Sequence, residues 1–234
     1  MSTERDATFV NDKAVYDITP FTHLDYPGKL AAIAWLCGCN MRCAYCYNDA
    51  IVHAKEGRYD WEELYEFLRD RRGLLDGVVI SGGEATMHPL LHTLPPIKEM
   101  GFSLKLDTNG SNPQLLGELI EKGLVDYVAL DYKAPLWLFG SITKSRLHGA
   151  VQDSLRLLLR SSIPYEVRTT VHADLLGAED IEAITNELEA LGHDDVLYLQ
   201  EFVPTQSNIG GLEAPKKVLE KTKLADSLHV LWRN

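Results

Sequence analysis

Along nearly the whole chain, short apolar runs bounded by turn residues alternate with stretches of helical spacing, and this alternation limits the fold more than any other feature. The runs at residues 29–36 (KLAAIAWL), 77–81, 102–107, 127–131, 165–171 and 196–202 read as strands. Helical spacing covers residues 60–73, 89–101, 112–123, 145–161 and 178–192, with Gly73, Gly101, Gly123 and Gly192 standing as stop signals just past the last apolar turn. Such an order implies parallel strands joined by right-handed crossovers, with ligand sites at the C-terminal ends of the strands. The expected class is α/β, a partial (β/α)6 barrel in a single domain. A flat doubly wound sheet is the runner-up on pattern alone.

At 234 residues, 45% hydrophobic and 24% charged, the chain has room for one large core. No run approaches the roughly eighteen apolar residues of a membrane span, and the opening MSTERDATFV lacks the basic-then-apolar order of a secretory signal. A cytoplasmic protein with no membrane partner is therefore expected. The formal net charge of -11 argues against a nucleic-acid partner, because that affinity rests on Lys and Arg neutralising phosphates. The basic spot at Arg69, Arg71 and Arg72 reads as a solvated helix face.

All four cysteines, Cys37, Cys39, Cys43 and Cys46, fall in the stretch AWLCGCNMRCAYCYND, residues 34–49. In a reducing compartment, thiols this crowded point to metal binding or redox chemistry and away from disulfides. A four-cysteine zinc site usually draws its ligands from two separate turns, and here there is no second turn. Cys39, Cys43 and Cys46 form a compact loop able to wrap one cubane cluster. Three thiolates would leave one iron open to a small molecule, whereas a purely electron-carrying cluster is normally closed by a fourth cysteine.

The segment CNMRCAYC, Cys39 to Cys46, resembles the C-x3-C-x-(aromatic)-C signature of the radical S-adenosylmethionine enzymes. The resemblance implies a [4Fe-4S] cluster on Cys39, Cys43 and Cys46, with S-adenosyl-L-methionine on the open iron through its amino and carboxylate groups. It also implies the partial barrel as core fold. Tyr45 fills the aromatic slot, as an adenine contact or as an apolar plug beside the cluster. Cys37 is extra to the pattern and reads as the end of a buried strand.

Other strand ends carry further matches. Gly82, Gly83 and Glu84 follow the second strand, where glycines permit close approaches that a Cβ resists; in the resembled family the glutamate accepts from the methionine ammonium. The third strand ends in Asp107, Thr108, Asn109 and Gly110, the fourth in Asp131, Tyr132 and Lys133. Lys133 suits a carboxylate as a point charge. Asp107 and Asp131 would be like charges at neighbouring strand ends, an arrangement that calls for a compensating cation. Resemblance to the activating enzymes of glycyl radical proteins implies ribose, carboxylate or monovalent-cation contacts there. It also implies an arginine and a histidine near the cofactor, matched by Arg168 and His172. Gln200, near the end of the sixth strand, is a further candidate to face the site.

Before the first strand, LDYPGK at residues 24–29 is a turn signal. With the strand and cysteine loop that follow, it resembles the activating proteins of anaerobic ribonucleoside-triphosphate reductase. The implied activity is reductive cleavage of S-adenosylmethionine and formation of a glycyl radical on a partner enzyme, with a flavodoxin or ferredoxin as electron donor. Two alternatives belong to other classes. One is a radical S-adenosylmethionine enzyme acting on a small molecule, such as a 7-carboxy-7-deazaguanine synthase. The other is a non-enzymatic module whose four cysteines all bind one zinc or a closed cluster. The expected layout is an entry segment at 1–28, the core at 29–205 and a short helical tail at 206–234.

Overall fold

The computed structural model describes residues 13–205, 207–221 and 229–233, and its strands form one eight-stranded sheet in sequential order. These are β1 Val15–Thr22, β2 Ala31–Leu36, β3 Gly77–Gly82, β4 Ser103–Thr108, β5 Tyr127–Asp131, β6 Tyr165–Val171, β7 Leu197–Glu201 and β8 Val230–Arg233. Strands β2 to β8 pair in parallel, and β1 alone is antiparallel, on β2. The six expected strands are β2 to β7. Among the described residues β1 and β8 remain unpaired on their outer sides, so the sheet is an open, partial barrel.

The two added strands account for the difference from the expected six. Pro20 interrupts the run that forms β1, and a proline is tolerated there because β1 is an edge strand whose register also shifts between Thr19 and Thr22. At the other end, β8 is only four residues long and pairs with β7, so a tail expected to be helical contributes a strand to the sheet. Residues 1–12 and 222–228 lie outside the described residues.

The helices are α1 Asp49–His53, α2 Trp61–Arg69, α3 Leu90–Thr93, α4 Pro95–Glu99, α5 Pro113–Glu121, α6 Leu136–Thr143, α7 His148–Arg160 and α8 Ala178–Leu191. Local chemistry sets several ends. Asp60 and Glu63 form a reciprocal capping box at the start of α2, and Asn112 caps α5 with Pro113 in the first turn. The single helix expected over 89–101 is two short ones, because Pro95 and Pro96 lack the N–H groups needed to continue α3. Among the described residues no helix is long and apolar enough to cross a membrane.

Period-two alternation gives the sheet two different faces. Leu104 and Leu106 of β4 and Val128 and Leu130 of β5 pack outward with Leu116 and Leu119 of α5 and Leu155 and Leu158 of α7. Each such leucine contributes about 2 kcal/mol on burial. The inner face holds a small apolar plug of Tyr26, Ala31, Ile33 and Val79, against which Trp35 and Tyr127 pack. Above the plug it is ionic: Lys105, Asp107, Asp131, Glu166 and Arg168 face one another across β4, β5 and β6.

Candidate active site

A cavity opens at the C-terminal ends of the strands, bounded on one side by the cysteine loop between β2 and α1. Cys39, Cys43 and Cys46 all line it, with Tyr45 between the last two. Backbone hydrogen bonds hold the loop from both flanks. Arg42 N–H donates to the Thr143 carbonyl at 2.8 Å and Ala44 N–H to Ile142 at 2.9 Å, both at the end of α6. On the other flank, Ile209 N–H donates to Cys46 at 3.0 Å and Gly210 N–H to Ala44 at 2.8 Å. Arg42 folds back to donate to the carbonyls of Cys39 and Met41.

The two glycines after β3 are explained by close approach. A Cβ on Gly83 would lie 1.8 Å from the Gly38 carbonyl oxygen, and one on Gly82, whose φ is +124°, would lie 2.3 Å from the backbone of Leu36. The exit of β3 thus lies directly on the backbone that leads into the cysteines, fastened by Glu84 N–H to the Gly38 carbonyl at 2.8 Å.

Glu84 itself does not line the cavity. Its buried carboxylate accepts from Thr86 N–H at 3.0 Å, Thr86 Oγ1 at 2.6 Å, Thr108 Oγ1 at 2.7 Å and Asn109 N–H at 2.7 Å. The two donors from Thr108 and Asn109 tie the exit of β3 to the end of β4, and the two from Thr86 cap the turn that follows Glu84. Burial pushes its carboxyl up, against the pull of the same hydrogen bonds. Thr108 and Asn109 do reach the cavity, and the Asn109 amide donates to Asn40 Oδ1 at 2.9 Å, above the Cys39 sulfur.

Asp107, Asp131, Lys133 and Arg168 form the charged floor. Arg168 bridges the two carboxylates, with Nε 2.6 Å from Asp131 Oδ1 and an Nη 3.3 Å from Asp107 Oδ2. Lys133 lies 3.2 Å from Asp131 Oδ2, and Lys105 2.7 Å from Asp107 Oδ1. Burial works against ionisation of Asp131, yet the Arg168 and Lys133 charges hold its carboxyl down at about 2. Asp107 is lowered in the same way, burial being outweighed by Arg168 and Lys105.

His172 is not brought to the cavity. Its Nε2 donates to the Glu213 carbonyl at 3.0 Å, and its Nδ1 accepts from Asp174 N–H at 3.3 Å. Asp174 in turn accepts from the N–H groups of Lys216 and Lys217. This histidine fastens the segment after β7 to the top of the barrel. Cys37 also stands apart: buried after β2, its thiol approaches the Lys13 carbonyl at 3.9 Å, and its own carbonyl accepts from His88.

Several lining residues escaped the sequence reading, among them Trp35, Met41, Ser81 and Thr170, while Gln200 lines the cavity. Lys105 and Glu166 were missed beneath it, although each stands two positions before a residue that was singled out, and that spacing puts them on the same strand face.

The donor set fits the groups implied by the sequence. Burial raises the Cys39 and Cys46 thiols and pushes Cys43 up to about 11, so a ligating ion must displace their protons. Among the described residues no three His, Cys, Asp or Glu side chains converge as ligands of a single ion. The Tyr45 hydroxyl is buried with no protein partner, an orphaned group in the cavity wall where a polar ligand would satisfy it.

Comparison with known proteins identifies the family. The family model of the Radical SAM superfamily matches residues 33–198. A protein of Methanocaldococcus jannaschii called "Putative glycyl-radical enzyme activating enzyme" is 32% identical over 200 residues, 81% of this chain and 80% of the relative. A pyruvate formate-lyase-activating enzyme of Clostridium pasteurianum is 30% identical over 51% of this chain and 52% of its own length. A 7-carboxy-7-deazaguanine synthase of Thermococcus kodakarensis is 27% identical over 45% and 50%. Among solved structures, "Native anSMEcpe with bound AdoMet" shares the fold at a TM-score of 0.61 and 17% identity, over 77% of this chain and 53% of that one. The chain spans about half of that structure's length. With the matched family covering most of the barrel and its signature thiols gathered at one cavity, the chain belongs to the radical SAM superfamily.

Proposed function

We propose that this protein activates a glycyl radical enzyme by reductive cleavage of S-adenosylmethionine, and that the partner is an anaerobic ribonucleoside-triphosphate reductase. The observation that carries the first half is the 32% identity to a relative named for glycyl-radical activation, sustained over 81% of this chain. The LDYPGK turn supports the choice of partner, and Asp107 to Gly110 with Asp131 to Lys133 support glycyl radical activation, each through the resemblance it carries.

In this reading Cys39, Cys43 and Cys46 hold three irons of a [4Fe-4S] cluster, and the cluster with S-adenosylmethionine supplies one-electron chemistry ending in removal of a hydrogen atom. The protein's own residues do the positioning. Lys133 and Arg168 present positive charge to a carboxylate, Tyr45 offers its unpaired hydroxyl, and the Asn109 amide stands over Cys39. The plug of Tyr26, Ala31, Ile33 and Val79, with Trp35 and Tyr127 packed on it, closes the inner barrel below and keeps water from that side. A glycine of the partner suits the open mouth because it has no side chain to clear. A flavodoxin or ferredoxin in the cytoplasm would supply the electron.

A second reading, 7-carboxy-7-deazaguanine synthesis, is favoured by the Thermococcus kodakarensis relative, which aligns over less than half of this chain. Anaerobic incubation with S-adenosylmethionine, reductant and a partner labelled with α-deuterated glycine separates the two. Deuterium in the released 5'-deoxyadenosine supports activation of the partner. Product free of deuterium with every glycyl radical partner tried contradicts it.

A further inference from the structure

We propose that Arg168 is a built-in counterion that occupies the place between Asp107 and Asp131 where a monovalent cation would otherwise sit, so that the cluster-loaded protein binds S-adenosylmethionine without any alkali-metal cation. The inference rests on the reading that the cavity receives S-adenosylmethionine, and it departs from the cation contacts that the resemblance implied. Two buried carboxylates at adjacent strand ends do need compensation, and the side chains around them already provide it.

The assignment rests on where the four carboxylate oxygens point. Asp107 Oδ1 faces the Lys105 ammonium at 2.7 Å and Asp107 Oδ2 faces Arg168 at 3.3 Å. Asp131 Oδ1 faces Arg168 Nε at 2.6 Å and Asp131 Oδ2 faces Lys133 at 3.2 Å. Each of the four carboxylate oxygens thus has a cationic donor against it, and Asp107 Oδ2 also accepts from the Ser81 hydroxyl at 3.2 Å. Asp131 and Arg168 are also partners in the β5–β6 ladder, so the sheet register itself sets the guanidinium beside the carboxylate.

The charge sum agrees. Glu166, paired with Arg233 at 2.6 Å and lying 3.9 Å from Lys105 and from Arg168, completes a cluster of three carboxylates and four cations. One positive charge is left over, and it suits one carboxylate of an incoming ligand. A bound alkali ion would raise that excess to two in a site shielded from water, where like charges repel strongly.

The test is calorimetric titration of S-adenosylmethionine into cluster-loaded protein in sodium, potassium or tetramethylammonium chloride at matched ionic strength. Wild-type affinity should vary by less than about twofold among the three salts, whereas Arg168→Gln should bind weakly in tetramethylammonium and recover about fivefold or more in sodium or potassium. Arg168→Lys, which retains the charge, should remain insensitive to the salt and serves if the glutamine variant fails to fold. A wild-type loss of more than about fivefold in tetramethylammonium, or an Arg168→Gln variant indifferent to the cation, overturns the proposal. Sodium-23 relaxation decides the point without the cofactor: specific binding should be lacking in wild type, present in Arg168→Gln and lost again when Asp131→Asn is added. Specific sodium binding by wild type that Asp131→Asn removes would also overturn it. Failure of wild type to bind S-adenosylmethionine in any salt would count against the cofactor reading, leaving the sodium measurement to judge Arg168.

Discussion

Arg168 Nε donates to Asp131 Oδ1 at 2.6 Å across a pair of residues that already face each other in the β5–β6 ladder. The guanidinium, with Lys133, keeps the Asp131 carboxyl at about 2, against the upward push of burial and below its ordinary 3.8. Because the folded value lies below the unfolded one, the stabilisation is present in full above about pH 4 and is lost as pH falls toward about 2. It amounts to about 2 kcal/mol. Urea unfolding of the cluster-free protein should show a midpoint that falls over that window, and Asp131→Asn should flatten the fall. An unchanged slope in the variant would contradict the pairing.

Cluster loading should separate the four cysteines. After anaerobic reconstitution, replacing Cys39, Cys43 or Cys46 with Ala should leave little bound iron. Cys37→Ala should load like wild type, since that thiol approaches the Lys13 carbonyl and does not line the cavity. Iron and sulfide analysis reads the result, and loss of iron in Cys37→Ala would sink the three-ligand assignment.

Gly83→Ala should be among the most damaging single changes in the protein. Its new methyl would meet the Gly38 carbonyl at 1.8 Å, and neither backbone can yield without moving the end of β3 or the start of the cysteine loop. A loss of about 3 kcal/mol is expected. Gly73→Ala, by comparison, meets no atom within 4 Å and suffers only from its φ of +78°. Comparable melting temperatures for the two variants would refute the close-approach argument.

His172→Ala should loosen the segment that follows β7 while leaving cofactor affinity within about twofold of wild type. The imidazole holds Glu213, and the same segment carries Ile209 and Gly210, whose N–H groups grip the cysteine loop. Limited proteolysis should cut the variant near residues 207–217 faster, and its cluster should bleach sooner in air. Intact protection, together with a large loss of affinity, would return His172 to a direct cofactor role.

The parallel core was legible because β2 to β7 are apolar runs with clear stops, the kind of signal that burial against helices enforces. Strand β1 was hidden by Pro20, which only an edge position tolerates, and β8 by having just four residues. Within the site, the cysteine spacing and the strand-end motifs marked residues that the fold gathers at one cavity. What they did not disclose was which tertiary donors would claim each side chain. Glu84 is engaged by Thr86, Thr108 and Asn109, and His172 by a distant carbonyl, because both contacts depend on how separate loops meet. Lys105 escaped notice because a lysine inside a strand reads as solvent-facing, whereas here it is 2% exposed and paired with Asp107.

The most direct test of the central claim is low-temperature electron paramagnetic resonance on an anaerobic mixture of the cluster-loaded protein, reductant, S-adenosylmethionine and the anaerobic ribonucleoside-triphosphate reductase of the same organism. The account predicts a stable glycyl radical doublet that requires every component and is lost with Cys43→Ala. Release of 5'-deoxyadenosine with no radical on the reductase, or on any other glycyl radical enzyme of that organism, would contradict it.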